Sequence, residues 1–187
     1  FAFVLRNVLE KHGFGVNDTK WVPFGGTRER LNALREKKAA AAMISEPFTT
    51  QARAEGFSML GEIVSVIGPY QANVQIANQP WAKANEDTVV RYIRAMLTAI
   101  DWIYDPANKA EAIKILAVNA KIPEAAAAPS IDGVTSGQAA INRKGAIDVE
   151  GVRNVIALRE KYGVPQKKMG APEKYYDATW YNKALAK

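Results

Sequence analysis

The 187-residue chain contains no cysteine and a single histidine, His12. Without cysteine, disulfides and thiol chemistry are excluded, and a structural zinc site would have lost its usual ligands. The absence is neutral on compartment, because exported proteins without cysteine are common. His12 stands near the end of an amphipathic segment, where contact with the last helical carbonyls accounts for it. A Ser-His-acid triad would have to use this residue, and no Gly-x-Ser-x-Gly elbow is present. The acid pairs Glu86-Asp87 and Asp101/Asp105 read as helix-end residues, not as a catalytic dyad. No apolar run approaches the ~20 residues of a membrane span. The chain also lacks an EF-hand pattern, a Gly-x-Gly-x-x-Gly fingerprint and a phosphate loop ending in Gly-Lys-Ser/Thr.

Apolar residues make up 48% of the chain, and four Trp and six Phe support a packed core. The net charge of +6 suits anionic ligands or proximity to a membrane surface. The basic clusters Arg35/Lys37-Lys38 and Lys167-Lys168 lack interleaved aromatics and read as solvated faces, so no nucleic-acid partner is expected.

One stretch organises the chain, from Phe24 to Phe48. Trp21, Val22 and Phe24 suit the end of a strand over 19–24. Gly25 and Gly26 allow a tight turn and close backbone approach to a ligand. Thr27 is the expected N-cap of a helix running to about Lys37, with Leu31 and Leu34 facing a sheet. Residues 39–44 form an apolar run of the length of a buried parallel strand. Ser45-Glu46-Pro47-Phe48 ends it. Ligands of open α/β sheets bind outside the carboxyl ends of the strands, so both turns are expected at one rim. Arg28 and Arg30 in the first helical turn oppose the helix dipole. They are either solvated or paired with something anionic.

Elsewhere the pattern predicts a helix from the first residue to about His12, closed by Gly13, and a short helix over 49–55. A strand is expected at 57–60, a mostly irregular 61–68, and an alternating strand at 70–77. A long helix is expected from Asn85 to about Tyr104, with Val89, Ile93, Met96, Leu97 and Ile100 inward. Asp105-Pro106 starts another, to about Leu116. Residues 123–138 are alanine-rich, contain Pro129 and Gly133, and have no assigned shape. Asp148 caps a helix ended by Gly163, and the aromatic tail ends in a short helix at 182–185. The chain opens inside an amphipathic helix with no preceding cap, so residues upstream of Phe1 are expected.

The ordered set of motifs resembles the substrate-binding proteins of nitrate, sulfonate, taurine and thiamine-pyrimidine-precursor ABC importers. The motifs are Phe24 to Leu34, Ala41 to Phe48, Ala77 to Ala95, Trp102 to Pro106, Tyr175 to Asp177 and Tyr181 to Leu185. Lys37-Lys38-Ala39-Ala40 departs from the family's Gly-x-x-Asp at that point. The resemblance implies an α/β, type 2 periplasmic-binding fold with ligand held between two lobes. On it, 1–68 is most of the second lobe, 69–78 the hinge and crossing strand, and 79–187 a helical region packing back on the lobes. The first lobe would be largely missing. It implies ligand contacts at Gly25, Gly26, Thr27 and Glu46, with no catalysis, cofactor or metal. The partners it implies are a membrane permease and its ATPase, at a periplasmic or extracytoplasmic, membrane-associated location. Glu46 would repel an anion but suit an amine or a pyrimidine-like donor. Two other readings share the fold: an effector-binding domain of a transcription regulator, and a pyrimidine-precursor synthase-like enzyme.

Overall fold

A computed structural model describes residues 2–15, 17–137 and 140–186. Its regular structure is helical. The helices are α1 (Ala2–Lys11), α2 (Thr27–Arg35), α3 (Phe48–Ala54), α4 (Ile63–Ile67) and α5 (Gln79–Ala84). There follow α6 (Glu86–Tyr104), α7 (Lys109–Ala120), α8 (Glu124–Thr135), α9 (Val149–Tyr162) and α10 (Thr179–Leu185).

The expected strands at 19–24, 39–44, 57–60 and 70–77 correspond to no strand among the described residues. The alternation in 70–77 is real, but a strand exists only when its N–H and C=O groups find a neighbouring ladder. Here Val74 and Ile76 are 52% and 89% exposed, so no neighbour covers them. This segment is fixed at its start instead. Asn154 donates to the Pro69 carbonyl at 2.8 Å, and Gln71 accepts from the Asp148 N–H at 2.8 Å. Gly151 on α9 makes that approach possible. A Cβ there would lie 2.6 Å from the Gln71 nitrogen.

The helices follow their sequence signals more closely. Gly13, at φ +85°, turns the chain after α1 so that the Phe14 N–H reaches the Leu9 carbonyl at 3.0 Å. The Asp148 carboxylate caps α9 through the Gly151 N–H at 3.1 Å. Asp105 accepts from the Ala107 N–H at 2.9 Å and starts a 3₁₀ turn at Pro106–Asn108, which leads into α7. Residues 61–68 contain α4 where an irregular segment was expected, and α10 begins three residues before the expected 182. Residues 124–135 form α8 around Pro129, which removes one backbone donor from it.

One core cluster joins Val4 of α1 to Leu158 and Tyr162 of α9, with Phe3, Val8, Met43, Ile63, Ile67 and Tyr70 packed around it. The outer edge of this contact is ionic. Glu10 accepts from Lys161 at 2.6 Å and from the Tyr162 hydroxyl at 2.7 Å. Elsewhere α10 packs on α6, α7 on α8, and α8 on α3, which in turn meets α2. Leu31 of α2 is fully buried and Leu34 half-buried. The later helices therefore lie directly against the Phe24–Phe48 stretch.

Candidate functional site

The two turns singled out in the sequence meet. Thr27 Oγ1 lies 3.1 Å from Ser45 Oγ, so the start of α2 and the turn before α3 share a hydrogen bond. No sheet among the described residues brings them together. The contact is made between a helix start and a loop, so the expected placement at the carboxyl edge of a sheet is corrected to this junction.

Gly25 adopts φ +72°, in the left-handed region that disfavours a side chain. Gly26, not Thr27, occupies the N-cap, and Thr27 is the first helical residue. A glycine cap has no side chain to accept a bond, so the first N–H groups of α2 keep no intrahelical or capping acceptor. The Thr27 hydroxyl, no longer the cap, stands between Ser45 and Arg30 of its own helix.

The arginines of the first turn are used within the protein. Arg28 donates to the carbonyl of Ala120, the last residue of α7, at 2.8 Å, and its guanidinium lies 4.8 Å from the Phe48 ring centre. A cation at a helix C-terminus satisfies an orphan carbonyl and the dipole together. Arg30 donates to the Gly26 carbonyl and to Thr27 Oγ1, each at 3.1 Å, and braces the turn. These contacts explain basic residues at a helix start without a bound anion.

Glu46 is half-buried, and its contacts fall on one oxygen. Oε2 accepts from the Thr50 hydroxyl at 2.9 Å, the Thr50 N–H at 3.4 Å and the Ser130 hydroxyl at 3.0 Å. Ser130 is 1% exposed. A buried hydroxyl needs such a partner, so Glu46 ties α3 to α8. Oε1 accepts no hydrogen bond from another described residue. Sequence reasoning did not find Ser130, because the alanine-rich segment around it carried no period to place it. Its only local signal was a polar residue directly after Pro129.

His12 is exposed just beyond α1, away from these groups in the sequence. Among the described residues, no group of three or more His, Asp or Glu could hold a metal ion, and no helix is long and apolar enough to cross a membrane. What the junction offers chemically is a helix start with open N–H groups, two facing hydroxyls and one carboxylate oxygen. Those are groups that hold a small polar solute by hydrogen bonds.

The chain belongs to the NMT1-like family, whose model matches residues 2–117. The match agrees with the resemblance to the nitrate/sulfonate/taurine-binding group and gives the chain a solute-binding role in general terms. Membership points to a periplasmic-binding fold, of which the described residues supply helices. No curated protein and no solved structure matches the chain.

Proposed function

We propose that this protein is the solute-binding component of an ABC importer. It would hold a small organic ion or heterocycle of the sulfonate, nitrate, taurine or pyrimidine-precursor kind and deliver it to a membrane permease and its ATPase. In this reading it works without catalysis, at an extracytoplasmic, membrane-associated site, and its fold is the α/β type 2 periplasmic-binding arrangement. The ligand lies between lobes, against Gly25, Gly26, Thr27 and Glu46.

The observation that carries the reading is the Thr27–Ser45 hydroxyl contact at 3.1 Å, in a chain of the NMT1-like family. It joins two turns eighteen residues apart into one polar rim. Open N–H groups at the α2 start supply donors for an anionic or carbonyl oxygen. Glu46 Oε1 supplies an acceptor for an amine or ring N–H. A ligand carrying both kinds of group uses the rim fully, which favours taurine-like zwitterions and aminopyrimidines over nitrate.

Isothermal titration against taurine, methanesulfonate, nitrate and aminopyrimidines, none of which carries a long aliphatic chain, tests this. We expect saturable binding of one class, weakened about tenfold or more by Thr27→Val, the loss of one hydrogen bond to a polar ligand being worth about that much. Binding of none of these classes, or an affinity unchanged in Thr27→Val, would overturn the reading.

A further inference from the structure

A groove of about 320 Å³ opens between α6, α10 and the turn at 141–146, lined by Leu97, Asp101, Arg143, Lys144, Tyr181 and Leu185. Its volume falls within the range of small-molecule sites. None of these residues belongs to the Thr27–Ser45 junction.

The walls are held in place. Arg94 on α6 donates to the Ala184 carbonyl at 3.1 Å and to the Ala186 carbonyl at 2.9 Å, fixing the end of α10. Lys183 pairs with Glu86 at 2.6 Å. The turn is locked by the Tyr181 hydroxyl, which donates to the Lys144 carbonyl at 2.7 Å. Asn142 adds a bond to the Ala146 carbonyl at 3.0 Å and accepts from the Lys144 N–H at 3.0 Å. Gly145, at φ +62°, lies so close to α6 that a Cβ would stand 2.7 Å from Leu97 Cδ2.

The chemistry of the groove is two-sided. Leu97 and Leu185 give it an apolar wall, and Leu185 is 55% exposed despite its size. Arg143 and Lys144 bring two positive charges with no acidic partner among the described residues. Arg143 stacks 5.0 Å from the Tyr104 ring centre, which orients its guanidinium without neutralising it. Asp101 is the one carboxylate in the lining, so the groove keeps a positive excess.

We propose that this groove binds an amphipathic anion, an aliphatic chain ending in a carboxylate or sulfonate. The chain lies along Leu97 and Leu185. The head group sits at Arg143 and Lys144, where a charge-assisted hydrogen bond to guanidinium is available. The apolar wall excludes hydrophilic anions, and the two cations exclude alkylammonium ions. The site is separate from the importer reading and does not depend on it.

Titration of the protein with sodium octanoate, octanesulfonate, octylammonium and acetate tests the proposal. Octanoate and octanesulfonate are expected to bind one site. The double variant Arg143→Gln/Lys144→Gln, exposed and so compatible with folding by circular dichroism, weakens them at least tenfold. Asp101→Asn tightens them by removing like-charge repulsion, and Thr27→Val leaves them unchanged. Equal binding of octylammonium, equal binding of acetate, or an unchanged affinity in the double variant would refute the site. So would loss of octanoate binding in Thr27→Val, which would move it to the junction.

Discussion

The Glu46 carboxylate and the Ser130 hydroxyl meet at 3.0 Å although 84 positions separate them in the chain. This bond fastens the turn before α3 to α8. The single Ser130 proton has a second acceptor, the Ala126 carbonyl at 3.3 Å, so the hydroxyl has a fallback if Glu46 is lost.

The first prediction concerns that bond. Ser130→Ala removes a buried donor and should lower unfolding stability by about 1.5–3 kcal/mol, the range for a hydrogen bond to a charged partner. Glu46→Gln keeps an acceptor for Thr50 and Ser130 and should cost less than Glu46→Ala. Urea denaturation of the three variants checks the order.

Backbone approach at α9 gives the second prediction. Gly151→Ala would place a Cβ 2.6 Å from the Gln71 nitrogen and 3.1 Å from the Tyr70 carbonyl carbon. Backbone is the obstacle, so α9 must move away from residues 70–71. A cost of about 2–3 kcal/mol is expected, as for overpacking, read as a drop in Tm. Gly133→Ala, with nothing near its Cβ, should not destabilise, because alanine is the better helix former.

A third prediction follows from the α9 cap. Asp148→Ala removes the acceptor of the Gly151 N–H and should cost about 1 kcal/mol, whereas Asp148→Asn should recover most of it. Because α9 carries Leu158 and Tyr162 of the core cluster, the loss should appear in global unfolding, not only as local fraying.

The pH dependence is the fourth. Lys161 first, and then Tyr162, hold the Glu10 carboxyl below its ordinary value of 4.5. A carboxylate depressed in the folded state contributes stability above pH 4.5 and loses it as the pH falls through the folded value. Glu10 in turn holds Lys161 above 10.5, so that contribution is present below 10.5 and is lost as the pH rises through the folded value. Glu55, lowered by Arg35, adds to the acid limb. Glu10→Gln should therefore flatten both limbs of a plot of denaturation midpoint against pH, while Glu55→Gln flattens the acid limb. Unchanged limbs in Glu10→Gln would remove Glu10 from this account.

Helix positions were legible in the sequence because their causes are local. Asp148, Asp105-Pro106 and Gly13 mark ends by caps and a left-handed turn, and the 89/93/96/97/100 spacing marks the face of α6. The strands expected from the sequence did not form among the described residues. Alternation at 70–77 states a preference, while a ladder requires a neighbour that no local pattern supplies. The first turn of α2 shows the same limit. Arg28 and Arg30 looked like an anion site or solvated charge, and their partners turned out to be the Ala120 carbonyl, the Phe48 ring and the Gly26–Thr27 turn.

The sequence by itself determined the ends of α1, α6 and α9 and the start that leads into α7, and that the Gly-Gly-Thr and Ser-Glu turns are the polar punctuation of the N-terminal third. Those are consequences of residue type and spacing over a few positions. Only the tertiary structure decided that Thr27 faces Ser45, that Glu46 reaches Ser130, and that Arg143 and Lys144 share a groove with Leu97 and Leu185. Each of those depends on how distant helices pack, and packing is set by the burial of whole faces, which no short window of sequence contains.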